Sequence, residues 1–310
     1  MKAYGAVYNN SIRLSSSSGG IFSALAAEFE VIYGVAMESN NLNAVFFRSE
    51  GDIEKLRGSK YIEARMGDTF KNVKKDLECG SKVLFTGTSC QVNGLITYLK
   101  IKYDNLTTVD IICHGVPSVK LWHTFIGNRN IDRVNFRAKN DSWQDYGLLI
   151  NNKFIPRYAN KYMKLYLTNN PLRPSCYECV CKQNKMADIT IGDFWGVDKL
   201  SPRLDDKKGT SLVIVRSKKG EQLIEKISYN LNISEIDYDL AVKYNESEYK
   251  SAQRPKSRDI FMTDLITGMS FEELYKKYYV ISPKKELTDR IIRYIKKIYR
   301  LFRKNNFIRL

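Results

Sequence analysis

Two apolar runs constrain this chain most: "KVLFTGT" (Lys82 to Thr88) and "LTTVDIICHG" (Leu106 to Gly115). Both are short and continuous rather than alternating, as strands covered on both faces are. The first leads straight into "SCQVNGLITYLK", which reads as a helix. Earlier runs repeat the pattern. "AYGAVYN" reads as a strand, "SSSSGG" (Ser15 to Gly20) as a turn, Ile21 to about Phe29 as a helix, and "VIYGVAM" as a second strand. That is the ordering of a βαβ-like unit. "NAVFFR" continues as a strand, "GDIEKLRGS" as a short helix and "GDTFKNVKKDLECG" as a helix closed by Gly80. Strands alternating with helices give an α/β class: a mixed or parallel sheet core with helices on its faces. Sites in such sheets lie at the carboxyl ends of strands. Cys90 and Cys113 fall at two such ends.

From Val134 to Ile155 the pattern changes to short strands, "VNFRAKND" and "YGLLINNKF", a smaller α+β part. Residues 158–169 read as a helix. "DITIGDFWG" and "GTSLVIVRSKKGEQLIEKI" then read as a strand and as a strand, turn and helix. The expected organisation is a main body over 1–233, a mixed extension over 234–282 and a basic tail helix over 283–310. Hydrophobic residues make up 43% and charged residues 27%, so a globular core is expected rather than disorder. No apolar run approaches the ~20 residues of a membrane-spanning helix, and the first residues hold no signal-peptide core. The expected location is therefore cytoplasmic, where cysteines are more often free, metal-bound or catalytic than paired.

The formal charge is +16, and residues 284–310 hold ten Lys/Arg against two Asp/Glu, a net of +8. Leu287, Ile291, Ile295, Ile298 and Phe302 recur there at helical spacing. A basic amphipathic helix fits the surface of an anionic membrane, which would make the protein peripheral at the inner face. The alternative is a terminal helix docked on its own domain. No nucleic-acid partner is expected, because no binding motif accompanies the charge.

Three thiols crowd into six residues: Cys176, Cys179 and Cys181. C-x2-C presents two sulfurs to one centre, a spacing shared by zinc and iron–sulfur sites. Cys90 and Cys113 complete a set of four thiolates from three loops; plain packing of small apolar thiols is the alternative. Cys79, at a helix end, reads as a bystander. Ser15 to Gly20 offers N–H groups and hydroxyls to a phosphate, or is a surface turn. Asp193 with Phe194 and Trp195 suits a flat ligand, or caps a core corner. His114 is the candidate acid/base; His123 sits in a helix and reads as structural.

Several blocks in order add a resemblance: "SSSSGGIFSALA", "LRGSKYIEARMGDTFKNVKKDL", "KVLFTGTSCQVNGL", "TVDIICHGVPS", "FRAKNDSW", "LRPSCYECVCK", "ADITIGDFWGV" and "KGTSLVIV". The chain resembles the coenzyme F420 hydrogenase/dehydrogenase beta-subunit family over about Met1 to Ile227. The resemblance implies an oxidoreductase with FAD and a [4Fe–4S] cluster in its main body. It implies Cys90, Cys113, Cys176 and Cys179 as cluster ligands. It implies flavin contacts from Ser16, Ser17, Ser18, Gly19 and Gly20, with Lys60 and Tyr61, and from Lys208, Gly209, Thr210 and Ser211. His114 and Asp193 are the candidates for proton handling. The chain starts directly at "MKAYGAVYNN", without the ferredoxin-like segment of many members, so an external donor is expected, a ferredoxin or reduced deazaflavin. Short members of this kind imply a redox step in surface polysaccharide or glycan biosynthesis. Two other readings stand beside this one: a non-catalytic flavin or cluster subunit of a glycan-assembly complex, and a structural zinc protein. Self-association into a homo-oligomer is left open with them.

Overall fold

The structure is a computed structural model and describes residues 1–140 and 142–279. The expected tail helix and its membrane contact lie outside the described residues.

Among the described residues, one sheet has nine strands. These are β1 (Lys2–Tyr8), β2 (Val31–Met37), β3 (Ala44–Ser49), β4 (Ala64–Arg65), β5 (Val83–Thr88), β6 (Leu106–Ile111), β10 (Ile189–Asp193), β11 (Ser211–Val215) and β12 (Leu231–Ile236). Their order across the sheet is β12-β1-β11-β10-β6-β5-β2-β3-β4. A second sheet joins β7 (Val134–Lys139), β8 (Tyr146–Ile150) and β9 (Lys153–Pro156), all antiparallel. β2, β5, β6 and β10 run parallel. β11 reverses against β10, and β1 reverses again against β11. This is the expected mixed α/β sheet.

The two apolar runs are its centre. Val83, Leu84, Phe85 and Val109 are buried, because helices cover both faces. α2 (Thr69–Glu78) and α3 (Ser89–Leu99) pack one face through Val73, Leu77, Val92 and Leu95. α1 (Ile21–Ala26) and α7 (Lys218–Ile227) pack the other through Leu25, Leu223 and Ile224. α3 starts where it does because Thr88 and Gln91 form a reciprocal capping box.

The structure corrects four local expectations. β1 and β2 run the same way but are separated by β11, β10, β6 and β5, so β1–α1–β2 is not an adjacent βαβ pair. The helix from Ile21 stops at Ala26, and "GDIEKLRGS" is only a 3₁₀ turn over Glu54–Leu56. Gly51 and Gly58 bound that turn in the left-handed region and leave no room for a longer helix. The helix expected over 158–169 is α5 (Lys161–Tyr166), started by the Asn160 side chain accepting from the Met163 N–H and followed by Asn169 at φ 66°.

The expected boundary after residue 233 falls inside β12, which pairs with β1. Beyond it come α8 (Tyr238–Val242), α9 (Arg258–Ile266) and α10 (Phe271–Tyr278). α9 and α10 bury Phe261, Leu265, Phe271 and Leu274 in one core with Trp122 and Ile126 of α4 (Val119–Ile126). Glu248 is 1% exposed and accepts from Lys185 at 2.5 Å and from Arg216. Lys185 lies 3.9 Å from Asp110, buried at the heart of β6. Buried ions are tolerated when each meets a partner, and removing one partner strands the rest. Glu248→Ala therefore leaves two buried cations short of a carboxylate. Its stability should fall by about 3–5 kcal/mol, read as the urea midpoint at unchanged slope; a fall well below that range contradicts the role given to this network.

Candidate functional site

Strand direction gathers the predicted site residues at one edge. β1, β5, β6 and β10 end there, and β11, running the other way, begins there. The Ser/Gly loop follows β1, Cys90 follows β5, Cys113 and His114 follow β6, Asp193 ends β10, and Lys208 to Thr210 lead into Ser211 at the start of β11. The register Ala6↔Ser211↔Asp193 sets three of these segments side by side.

The Ser/Gly loop and the "KGTS" loop are laid directly against each other. Ser18 Oγ donates to the Thr210 carbonyl at 2.6 Å, and the Gly19 N–H donates to Ser211 Oγ at 3.0 Å. A Cβ on Gly19 would stand 2.5 Å from the Ala6 oxygen. Gly209, at φ +114°, would meet the Ser18 oxygen at 2.6 Å. Only glycine permits either approach. Ser16 Oγ donates back to the Ile12 carbonyl at 3.1 Å. Gly20, at φ +84°, turns the chain into α1. Ser17 Oγ accepts from the Ser59 N–H at 3.0 Å, which brings in "GSKY". Lys60 is turned to that segment's own backbone, donating to the carbonyls of Lys55, Leu56 and Arg57 at 2.8 to 3.1 Å. Burial pushes its ammonium down to about 7.

Two basic residues that the sequence reading did not single out hold this arrangement. Lys139, at the end of β7, donates to the carbonyls of Arg13, Ser18 and Lys208 at 2.6 to 3.1 Å. One ammonium thus ties both loops together. Burial, and then Arg13, push it down to about 8. Arg13 donates from Nε to the Gly209 carbonyl at 2.9 Å and pairs with Asp206 at 2.6 Å.

Arg137 lies two residues before Lys139 on β7. The register of β7 against β8 shifts between Asn135 and Ala138, so Arg137 sits at a break in the regular pairing. Its guanidinium is 3% exposed, 2.7 Å from Asp193 Oδ2 and 3.4 Å from Tyr61 Oη. It stacks 3.8 Å over the Tyr146 ring centroid, with Trp195 at 5.5 Å. Trp195 stacks on buried Trp143 at 5.0 Å. Arg137 Nε and Nη2 and Trp143 Nε1 are buried donors with no partner. Such donors are rare in native interiors, where a ligand or water normally completes them.

The thiols gather on the other side of the edge. None of the six cysteines is in a disulfide. Cys90 sits in the first turn of α3, its sulfur 3.1 Å from Thr88 Oγ1. Cys113 lies just past β6. The cysteine loop crosses beside it, bridged by Pro117↔Leu172 and by the Arg173 N–H on the Val116 carbonyl at 2.9 Å. The Val116 N–H points at Cys176 Sγ from 3.4 Å. Cys90, Cys113 and Cys176 each lie within electrostatic reach of one another, Cys179 of Cys176, and Cys181 of Cys179 and Cys90. Burial, with the neighbouring thiols adding, pushes Cys113 up to about 12. Lys182 fastens the loop by donating to the carbonyls of Cys113 and Ser247. Cys79 is exposed at the end of α2. Among the described residues, no three His, Cys, Asp or Glu side chains converge as a single metal ion requires. The sulfurs share one neighbourhood without converging on a single point. That donor set fits a cluster, in which each corner iron takes one thiolate, and the orphaned N–H groups across the edge fit an oxygen-rimmed cofactor.

His114 stands on the thiol side. Its Nε2 meets Asn169 Oδ1 at 2.7 Å, and its ring packs edge-on against Tyr166. Burial lowers its pKa. His123 lies in α4, bonded to the Leu42 carbonyl at 3.0 Å.

The family model for the carboxyl terminus of the coenzyme F420 hydrogenase/dehydrogenase beta subunit matches residues 80–239. Among solved structures, a chain of the xenon-derivatised F420-reducing [NiFe] hydrogenase complex from Methanosarcina barkeri is similar, at TM-score 0.56 and 17% identity. The match covers 87% of this chain and 94% of that one, and at this identity it speaks for the fold. No curated protein matches the chain.

Removing the Arg137 side chain leaves Asp193 alone in a largely buried place. Arg137→Ala should therefore cost about 3–5 kcal/mol, and adding Asp193→Asn should recover much of it. A double-mutant cycle read by denaturant unfolding checks this; purely additive losses would show that the two groups do not act as a pair.

Proposed function

The chain belongs to the coenzyme F420 hydrogenase/dehydrogenase beta-subunit family, and on that premise we propose that it is a flavin-dependent iron–sulfur oxidoreductase fed by an external donor, a ferredoxin or reduced deazaflavin. One observation carries the reading: five free thiols from three loops share a sheet edge with two interlocked glycine loops and three buried, unpartnered N–H donors.

When bound, FAD supplies a ring that accepts a hydride, and a [4Fe–4S] cluster supplies single-electron transfer. Cys90, Cys113, Cys176 and Cys179 would hold the cluster, with Cys181 beside them. Ser16 to Gly20 and Lys208 to Ser211 form the flavin cradle, with Lys139 keeping the two loops together. Arg137 offers its free N–H groups to the cofactor's oxygen edge while Asp193 fixes its orientation. Trp195, backed by Trp143, walls the site against water. Asn169 Nδ2 donates to the Gln253 carbonyl at 3.1 Å, which leaves Oδ1 to accept from His114. Nε2 of His114 then carries the proton, and Nδ1 is the atom left to take one up. We extend the substrate side to a sugar or glycan precursor on the strength of the resemblance to short family members.

Anaerobic purification with an absorption spectrum and iron, zinc and flavin analysis tests the reading. Flavin bands over a broad iron–sulfur shoulder are expected, bleached by reduced ferredoxin or reduced deazaflavin. A colourless, zinc-containing protein would sink it. A coloured protein that neither donor bleaches would leave a cofactor-binding subunit instead of an enzyme.

A further inference from the structure

We propose that the free edge of Arg137 is a subsite for a two-oxygen anion, a carboxylate or a phosphate-type group, with Arg157 as its outer cation. The group belongs either to the cofactor's phosphates or to the substrate. Only the first of these owners rests on the flavin reading above; the charge and shape of the group go beyond it.

A guanidinium carries five N–H groups in one plane and no acceptor. In Arg137 the contacts crowd onto a single nitrogen. Nη1 lies 2.7 Å from Asp193 Oδ2 and 3.4 Å from Tyr61 Oη. Nε and Nη2 have no partner, and both are closed to bulk water. Those two nitrogens share one edge of the plane, and their N–H bonds point the same way. Such an edge is a fork that meets a carboxylate or phosphate with two parallel hydrogen bonds. A lone carbonyl or hydroxyl would answer one donor and strand its neighbour, which is costly for a buried group. Two oxygens carried on one atom answer both.

The fork is held in place. Asp193 and Tyr61 anchor the far nitrogen, and the Tyr146 ring centroid lies 3.8 Å from the guanidinium carbon. The neighbouring cation cannot serve in its stead, because Lys139 has turned its ammonium to three carbonyls. Arg157 stands at the same tyrosine from outside. It is exposed, and its guanidinium carbon lies 5.3 Å from the Tyr146 centroid. Among the described residues it forms no ion pair. Two arginines on one ring, one at the surface and one buried, give an anion a graded approach. The outer charge draws it in, and the inner fork binds it.

Titration calorimetry of inorganic phosphate and of acetate into the full-length chain tests this, with the chain stripped of flavin and again after loading with FAD. Saturable binding of at least one anion to the stripped chain is expected. Arg137→Lys keeps a charge beside Asp193 but not the fork, and should weaken that binding about tenfold or more at unchanged circular dichroism. Arg157→Gln should weaken it only a few-fold. Binding abolished by FAD assigns the fork to the cofactor; binding that survives FAD assigns it to the substrate. Either result supports the subsite. No saturable binding to the stripped chain, or equal binding by folded Arg137→Lys, would overturn it. Should the lysine variant not fold, hydrogen exchange on the wild-type chain decides: the anion should slow exchange at residues 134–139 and 189–196, and slowing confined to other segments would overturn the assignment. A chain that takes up no FAD brings down the flavin reading and leaves the anion result to be read by itself.

Discussion

β10 pairs with β6 in one direction and with β11 in the other, and most of the site follows from that reversal. A strand that ends at an edge delivers its following loop there; a reversed neighbour delivers its preceding loop to the same place. Asp193 and Ser211 are thereby register partners, and Ala6 of β1 completes the row. Two glycine loops meet there at distances that no side chain would allow. The parallel strands β5 and β6 bring Cys90 and Cys113 to the same edge from the middle of the sheet. A sheet parallel throughout would have sent the "KGTS" loop to the opposite end.

The second sheet gives the site its charge. β7 places Arg137 and Lys139 across the edge, one on Asp193 and the other on three carbonyls of two loops. Both ions are desolvated, so each is stabilising only while its partners stay in place. Lys139 has spent its donors within the protein, whereas Arg137 keeps two in reserve. That difference separates a residue that ties two loops together from one with hydrogen-bonding capacity left over.

Much of this was legible in the sequence where the cause is local. "VIYGVAM" is β2 from its first residue to its last, and "SCQVNGLITYLK" is α3 with one residue to spare, because continuous apolar runs and a capping box act over a few positions. Cys90 and Cys113 were placed at strand ends by the same logic. What the sequence hid depends on distant partners. Arg137 and Asp193 are 56 positions apart, and the break in pairing beside the arginine leaves no mark in "VNFRAKND" beyond its composition. The separation of β1 from β2 comes from strands inserted later in the chain, to which hydrophobic periodicity is blind. Cys181 stood out by spacing, but only the Asn93 amide, 3.6 Å from its sulfur and on the helix that carries Cys90, ties it to this edge.

The central claim is that one sheet edge holds a flavin and an iron–sulfur cluster together. Stepwise anaerobic reduction with dithionite, followed by absorbance and low-temperature paramagnetic resonance on the same sample, tests it most directly. The account predicts bleaching of the flavin bands and growth of a reduced iron–sulfur signal in one protein preparation. Bleaching with no iron–sulfur signal, or no bleaching at all, would contradict it.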